Sequence, residues 1–333
     1  MSTTLPLGLN TYCLRALRWN DAPLLDYTAS LKLDAVFLQD SIDPGTADPA
    51  HWAEVRAQAA RLQLHLETGG GGIFPKIEAF ASSLGMNIQR AKAMGSPIVR
   101  CVIAGERAAL PPGPAEQHLE TVLKVIRPVR QQVLDAGLKL AFETHKDFQA
   151  WEFKNFIEEA GRDWVGIYLD TGNPVFVMEH PMTTVEMLGA YAVTFHLRDS
   201  VVYEHKRGIA VQWVPLGEGT VDFPPLVARM RELVPHVHAY VKPITGRPPQ
   251  ILPVYDESFW KLYPKARAAD LARFMTLAKS GSPYDRPMVI EDLQGRPVPP
   301  HFAAAVQYQQ KEHMERSIEY AKRKLDLGVR WRS

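Results

Sequence analysis

The chain has 333 residues, of which 46% are hydrophobic and 23% charged, and its formal net charge is +1. With basic residues scattered along it, that balance argues against a nucleic-acid or anionic-membrane partner. No segment reaches the ~20 apolar residues of a membrane span, Met1 to Pro6 lack a signal-peptide pattern, and Cys13 and Cys101 fall in different predicted strands. No disulfide framework is expected, and a cytoplasmic location is the default expectation.

Short apolar runs recur along the chain, each followed by a longer helical stretch. They predict strands over residues 7–13, 35–39, 63–68, 98–102, 139–144, 165–170, 193–197 and 237–244. Residues 77–93, 115–135 and 148–159 place apolar side chains near the helical period, and Gly137 marks a helix stop. Alternating strands and helices predict a parallel sheet, and eight units favour closure into a single (β/α)8 barrel of the α/β class. Such a barrel needs roughly 250 residues. One domain is expected, with the barrel over about 7–280 and a C-terminal helical extension over about 281–333.

Gly69 to Gly72 follow the third strand without the spacing of a dinucleotide fingerprint, and read as a flexible loop at the barrel mouth. Residues 246–264, rich in proline and aromatics, read as an ordered lid or a packed extension. Two helical stretches, 266–280 and 301–327, follow on either side of a proline-bearing loop. The second reads as a long surface helix or an oligomer contact.

Strand side chains alternate between faces, and in a barrel the inner face fills the lumen. Leu62, Leu64 and Leu66 share one parity, so His65 and Glu67 are expected to point inward. The same rule turns Arg100, Glu143, Tyr168, Asp170, His196, Arg198, Tyr240 and Lys242 inward. The result is a ring of ionisable residues near strand ends: Glu67, Arg100, Glu143, Asp170, His196 and Lys242. Ionised groups in a barrel interior are costly unless paired or bound to a cation. The C-terminal strand ends are also where barrel enzymes place their chemistry. Two carboxylates and an imidazole suit a divalent ion. Each residue also has a plainer reading. Glu143 can be a structural ion-pair partner, Asp170 a cap on the next turn, His196 a hydrogen-bonded core histidine, and Glu67 with Arg100 a salt bridge. Arg198, Lys206, Arg207 and Arg247 are candidates for phosphate contact, or else solvated surface charges.

At these residues the chain resembles the xylose isomerase-like barrel superfamily, in particular its sugar phosphate isomerase/epimerase branch. Phe142-Glu143-Thr144-His145-Lys146-Asp147-Phe148 resembles that branch's Glu-Asn-His-Gly-Asp-Phe segment. Asp170-Thr171-Gly172-Asn173 matches its Asp-Thr-Gly-Asn, and His196-Leu197-Arg198-Asp199 resembles its His-x-Lys-Asp. Leu216-Gly217-Glu218-Gly219-Thr220-Val221-Asp222 resembles its Leu-Gly-Glu-Gly-x-Val-Asp. These segments cover the second half of the barrel in the right order.

The resemblance implies a divalent ion (Mn, Mg, Co or Zn) on Glu143, Asp170 and His196. A fourth ligand, a glutamate, is implied where this chain has Lys242, before Ile244-Thr245-Gly246. In the family two carboxylates flank a sugar carbon; one removes a proton next to a carbonyl and the other returns it, while the metal stabilises the enediolate. Lysine leaves three outcomes open. Three protein ligands and water hold the metal while Lys242 faces substrate; the ammonium replaces the metal; or neutral Lys242 is the base. Carbamylation of Lys242 is a fourth, less favoured route to an oxygen ligand. The expected catalytic residues are Glu143, Lys242 and Glu67, and the expected substrate contacts are His65, Arg100, His145, Asn173 and Arg198. His145 and Glu67 are also reserve ligands.

The reading is therefore a sugar isomerase or epimerase acting on a small-molecule sugar or keto-sugar, as a homo-oligomer, either dimer or tetramer. Two alternatives stand: a lyase or dehydratase on a keto-sugar, inosose or glycoside, and a non-catalytic sugar-binding protein. A DNA-repair nuclease of the same superfamily fits poorly, because its additional metal-ligand histidines are not evident.

Overall fold

The computed structural model describes residues 4–39, 48–292, 296 and 299–332. Its strands are β1 (Leu7–Asn10), β2 (Ala35–Leu38), β3 (His65–Gly72), β4 (Ile98–Val102), β5 (Lys139–Glu143), β6 (Val165–Asp170), β7 (Ala192–Leu197), β8 (Asp199–His205), β9 (Gly208–Val214), β10 (Ala239–Val241) and β11 (Gln250–Leu252). β1 to β7 pair in sequence and in parallel, and β10 closes the barrel between β7 and β1. Part of the proline-bearing loop, 293–295 and 297–298, lies outside the described residues.

The predicted alternation holds. Leu64 and Leu66 pack in the layer between barrel and helices, while Ala35, Phe37, Ile98, Ala141, Tyr168 and Tyr240 form a separate cluster inside the lumen. Phe37 meets Tyr168, His196 and Tyr240 edge-on, at ring separations of 5.5, 5.1 and 6.1 Å. Such edge-to-face contacts suit aromatic quadrupoles. Gly8 makes room for this plug, since a Cβ there would lie 2.7 Å from the Tyr240 ring.

Three local expectations are corrected. The end of the first predicted strand is a 3-10 helix, Thr11–Leu17, whose start is capped by Asn10 accepting from the Tyr12 N–H at 3.0 Å. Gly69 to Gly72 are no flexible loop but the end of β3, paired to β4 through a register shift. Glycine is needed there because a Cβ on Gly69 would stand 2.9 Å from Arg100 Cβ. After β7 the chain also makes an unanticipated antiparallel sheet, β8-β9-β11. Its hairpin turns at Gly208, whose φ of 141° favours glycine. β11 belongs to the proline-rich stretch, which is thereby a packed extension.

The last long helix, Ala303–Arg323, packs against Thr11–Leu17 and β10. Val306, Met314, Ile318 and Ala321 are buried on its inner side. The tail then returns to the N-terminal strand ends, where Val329 and Arg330 N–H groups donate to the Asp34 carboxylate at 2.9 Å. No helix among the described residues is long and apolar enough to cross a membrane.

His313 joins this helix to the chain after β10 through a 2.7 Å hydrogen bond with Thr245 Oγ1. Burial, helped by Arg316, pushes its imidazole down to about 4. The folded value is below the unfolded one, so the stability it contributes is complete above about pH 6.5 and is lost as pH falls toward 4. The slope is about 1.4 kcal/mol per pH unit for one group. Urea melts at pH 7 and pH 5 should show His313→Gln losing less stability than the wild type across that interval. Equal losses would show that His313 does not carry this pH dependence.

Candidate active site

Adjacent strand ends bring acids and bases into one buried network. Lys242, just past β10, donates to Glu143 Oε1 at 2.8 Å and to Asp170 Oδ2 at 3.1 Å. Arg198 also reaches Asp170 Oδ2, at 3.1 Å. Arg100 pairs with the other oxygen of Glu143. Asn173 bridges the two halves, donating to Glu143 Oε1 and accepting from Arg198 Nη1, both at 3.1 Å. Three cations thus share two carboxylates, and Glu143 and Asp170 are fully buried. Burial alone would raise the Glu143 carboxyl, but Arg100 and Lys242 hold it well below the ordinary range. Burial, reinforced by Arg198, lowers the Lys242 ammonium, while Glu143 and Asp170 oppose that shift.

Local sequence sets this up. Gly172, in Asp170-Thr171-Gly172-Asn173, lets Arg198 cross the end of β6, since a Cβ there would lie 2.6 Å from Arg198 Cγ. Asp199, next to Arg198, accepts N–H groups from Ser200, Gly217 and Gly219 at 2.8 to 3.0 Å. The segments His196 to Asp199 and Leu216 to Asp222, apart in the sequence, therefore meet at one carboxylate.

Above the network is a cavity of about 600 Å³. Glu143, Arg100, Arg198 and Lys242 reach it from below, and His145 stands on its wall. Burial, with Arg100 and Lys242 adding to it and Glu143 opposing, pushes His145 down to about 3, so its imidazole is neutral at pH 7. Its Nδ1 has no hydrogen-bond partner among the described residues. The rest of the wall includes Lys146, Phe176, Trp213 and Arg247, with Asp292 beside Arg247. Of these, only Arg247 stood out in the sequence. The alternation of β8 and β9 around His205-Lys206-Arg207-Gly208 was the available signal for Trp213.

Three predicted site residues lie elsewhere. His196 is inside the aromatic plug, with Nδ1 on the Tyr168 hydroxyl at 2.7 Å and Nε2 on Thr194 Oγ1 at 3.2 Å. Asn10 donates to the same Tyr168 oxygen. The chain of donors assigns a neutral, Nε2-protonated His196, in keeping with burial and Lys242 lowering it well below the usual histidine range. Glu67 and His65 do not line the cavity and form no salt bridge with Arg100. His65 Nε2 is 3.5 Å from Glu67 Oε1, and its ring stacks on His238 at 3.9 Å, at the start of β3 and just before β10. Among the described residues, His65, Glu67 and His238 are the group whose ligand atoms come within 4.8 Å of one another.

Barrel closure, site position and motif order agree with the xylose isomerase-like TIM barrel description, which matches residues 25–237. The chain belongs to that family. It is 24% identical over 237 residues, 68% of either chain, to the uncharacterized protein YihM of Escherichia coli (strain K12). Its fold resembles D-psicose 3-epimerase, crystallised in the presence of D-fructose, with a TM-score of 0.60 and 13% identity, covering 96% of this chain and 98% of that one. It also resembles the IolI protein with a bound zinc atom, with a TM-score of 0.55 and 13% identity over 81% and 99% of the two chains.

A divalent ion on Glu143, Asp170 and His196 does not fit the residues present. Lys242 Nζ takes the point between the two carboxylates, and both His196 nitrogens are committed inside the lumen. An added double charge would meet three cations already sharing two carboxylates. In a His238→Asn background, which removes the lower histidine pair, equilibrium dialysis should show no Mn²⁺ bound at this set. Adding Lys242→Glu should raise Mn²⁺ affinity by at least tenfold. Tight Mn²⁺ binding that depends on Asp170 while Lys242 is intact would contradict this geometry.

Proposed function

We propose that this protein is an enzyme of the sugar isomerase/epimerase class. It removes a proton next to the carbonyl of a keto-sugar, with the Lys242 ammonium supplying the positive charge that a metal supplies in relatives. The observation that carries this reading is Lys242 Nζ between Glu143 and Asp170 beneath the cavity.

The chemistry follows from charge conservation in a buried site. Glu143 takes the proton from carbon, and the bonding electrons pass to the carbonyl oxygen to give an enediolate. Negative charge thereby leaves one Lys242 partner and appears on an oxygen that Lys242 also reaches. The total charge beside Lys242, Arg100 and Arg198 is unchanged, so fixed donors stabilise the transition state without reorganising. Glu143 is a weak base in the resting site, and the same cations that weaken it stabilise the product of its action. Return of the proton to the former carbonyl carbon, as the neighbouring hydroxyl passes its own proton to the former carbonyl oxygen, completes a mass-neutral isomerisation.

A second reading, elimination of water or an aglycone, draws on one observation. Asp170 is fully buried under Lys242, so the floor of the cavity presents one carboxylate and one ammonium. That is a base with an acid in place of two flanking bases. Product mass separates the two readings.

The test is hydrogen exchange in D₂O with chelator-treated protein and a panel of keto-sugars. Deuterium should enter the carbon next to the carbonyl with wild type and not with Glu143→Gln. Lys242→Met should lower kcat/KM by roughly 10²–10³-fold. Exchange that appears only with added Mn²⁺ would overturn the role given to Lys242. Because the ammonium is the active form and burial lowers it, kcat/KM should decline with rising pH below the ordinary lysine range. Lys242→Arg should move that decline to higher pH in whatever activity it retains.

A further inference from the structure

One wall of the cavity carries more positive charge than the substrate carbonyl needs. Lys146 Nζ lies over the rings of Phe176 and Trp213, 5.1 and 5.4 Å from their centroids. Arg198 Cζ lies 4.4 Å from the same Trp213 ring. Trp213 is held in place by Nε1 donating to Gly172 O at 3.0 Å. Two cations thus share one fixed indole, an arrangement in which the aromatic face eases their mutual repulsion without neutralising either.

Among the described residues, their carboxylate partners are few. Asp170 serves Arg198 and Lys242 together. Among the described residues, Lys146 pairs with Glu106, at 3.9 Å, whose side chain is 48% exposed. Arg198 is 1% exposed, and its Nε has no hydrogen-bond partner among the described residues. Two cations side by side on a cavity wall, one of them almost fully buried, make a costly arrangement that an anion would relieve. Lys146 also stands where the segment resembled in the family has glycine, so this charge belongs to the chain's own chemistry.

We propose that the corner formed by Lys146, Arg198 and Trp213 binds a permanent negative group of the substrate, a carboxylate or a phosphate. The substrate class is then a keto-sugar acid or a keto-sugar phosphate, and a neutral sugar is a poor ligand. This rests on the proposed function only in taking the cavity as the substrate pocket. The anion docks on the Trp213 wall, and the carbonyl end extends toward Lys242 and Glu143. Electrostatic contact of this kind, made equally in ground and transition states, affects KM more than kcat.

The experiment is calorimetric and thermal-shift titration of the full chain with inorganic phosphate, gluconate, glucose 6-phosphate and glucose. At least one anionic sugar should bind roughly tenfold more tightly than glucose. Lys146→Gln should remove most of that difference while changing glucose affinity far less. The phosphate and gluconate arms tell which anion the corner prefers. Glucose binding as tightly as both anionic sugars, or Lys146→Gln retaining full anion affinity, overturns the proposal. Anion binding of the expected kind without deuterium exchange on keto-sugar acids or phosphates supports this corner and counts against the proposed reaction. Exchange that is equally efficient on neutral and anionic keto-sugars does the reverse.

Discussion

Lys242 ties the two ends of the site together across the barrel mouth. Glu143 and Asp170 sit at the ends of adjacent strands β5 and β6, and side-chain carboxylates placed so near each other repel in a low-dielectric interior. One ammonium within 3.1 Å of both converts that repulsion into a closed network. Arg100 and Arg198 then complete it from either side. Breaking a buried pair by removing one partner costs about 3–5 kcal/mol, because the remaining charge is stranded. The network therefore fixes side-chain positions at the same time as it sets charge. A site built this way needs no loop closure to align its polar groups, since the ends of rigid strands already do so.

The surrounding sequence serves that network in specific ways. Gly69 and Gly172 are positions where a methyl group would collide with the arginines that flank the carboxylates. Asp199 turns its back on the site and gathers backbone N–H groups, so the residue beside Arg198 anchors the strand exit while Arg198 faces inward. Below, the Tyr168, His196 and Tyr240 stack seals the lumen with rings 3.8 and 4.8 Å apart. The plug keeps water from the underside of the carboxylates, which strengthens every interaction above it.

The barrel was legible because parallel strands buried on both faces carry a strong pattern, and a helix-sized spacing between them leaves few topologies. Parity placed Glu143, Asp170, Arg198 and Lys242 on the inner face, where they are. It also placed Glu67 and His196 there, and both do point inward. What parity does not encode is height. Strand stagger decides whether an inward residue reaches the mouth or stops in the lumen, and it put His196 in the aromatic plug and Glu67 beside His65 near the N-terminal ends. Trp213 was hidden for another reason. The β8–β9 hairpin interrupts the strand-helix rhythm, so a period-two segment fell where a connection to the next helix was expected. Lys146 carries no signal of its own in the sequence, because a lysine in a loop is ordinarily solvated. Its burial against two rings is a tertiary fact.

Exchanging a metal ligand for lysine changes more than ligand count. A metal ion is a Lewis acid with several open directions and no proton to give. An ammonium has three directional donors and one proton that it can release if its surroundings permit. Two of the Lys242 donors are spent on Glu143 and Asp170, which leaves one for substrate. A single directional donor stabilises one oxygen well and cannot chelate two, as a metal does with a diol or hydroxyketone. Orientation of the substrate must then come from elsewhere in the cavity. The charged wall around Trp213 is where this chain has the groups to provide it, and a substrate anchored there by a permanent anion would present its carbonyl end to the remaining Lys242 donor. In the proposed reading, loss of the chelating ion and gain of a cationic wall are two parts of one change in how the barrel holds its substrate.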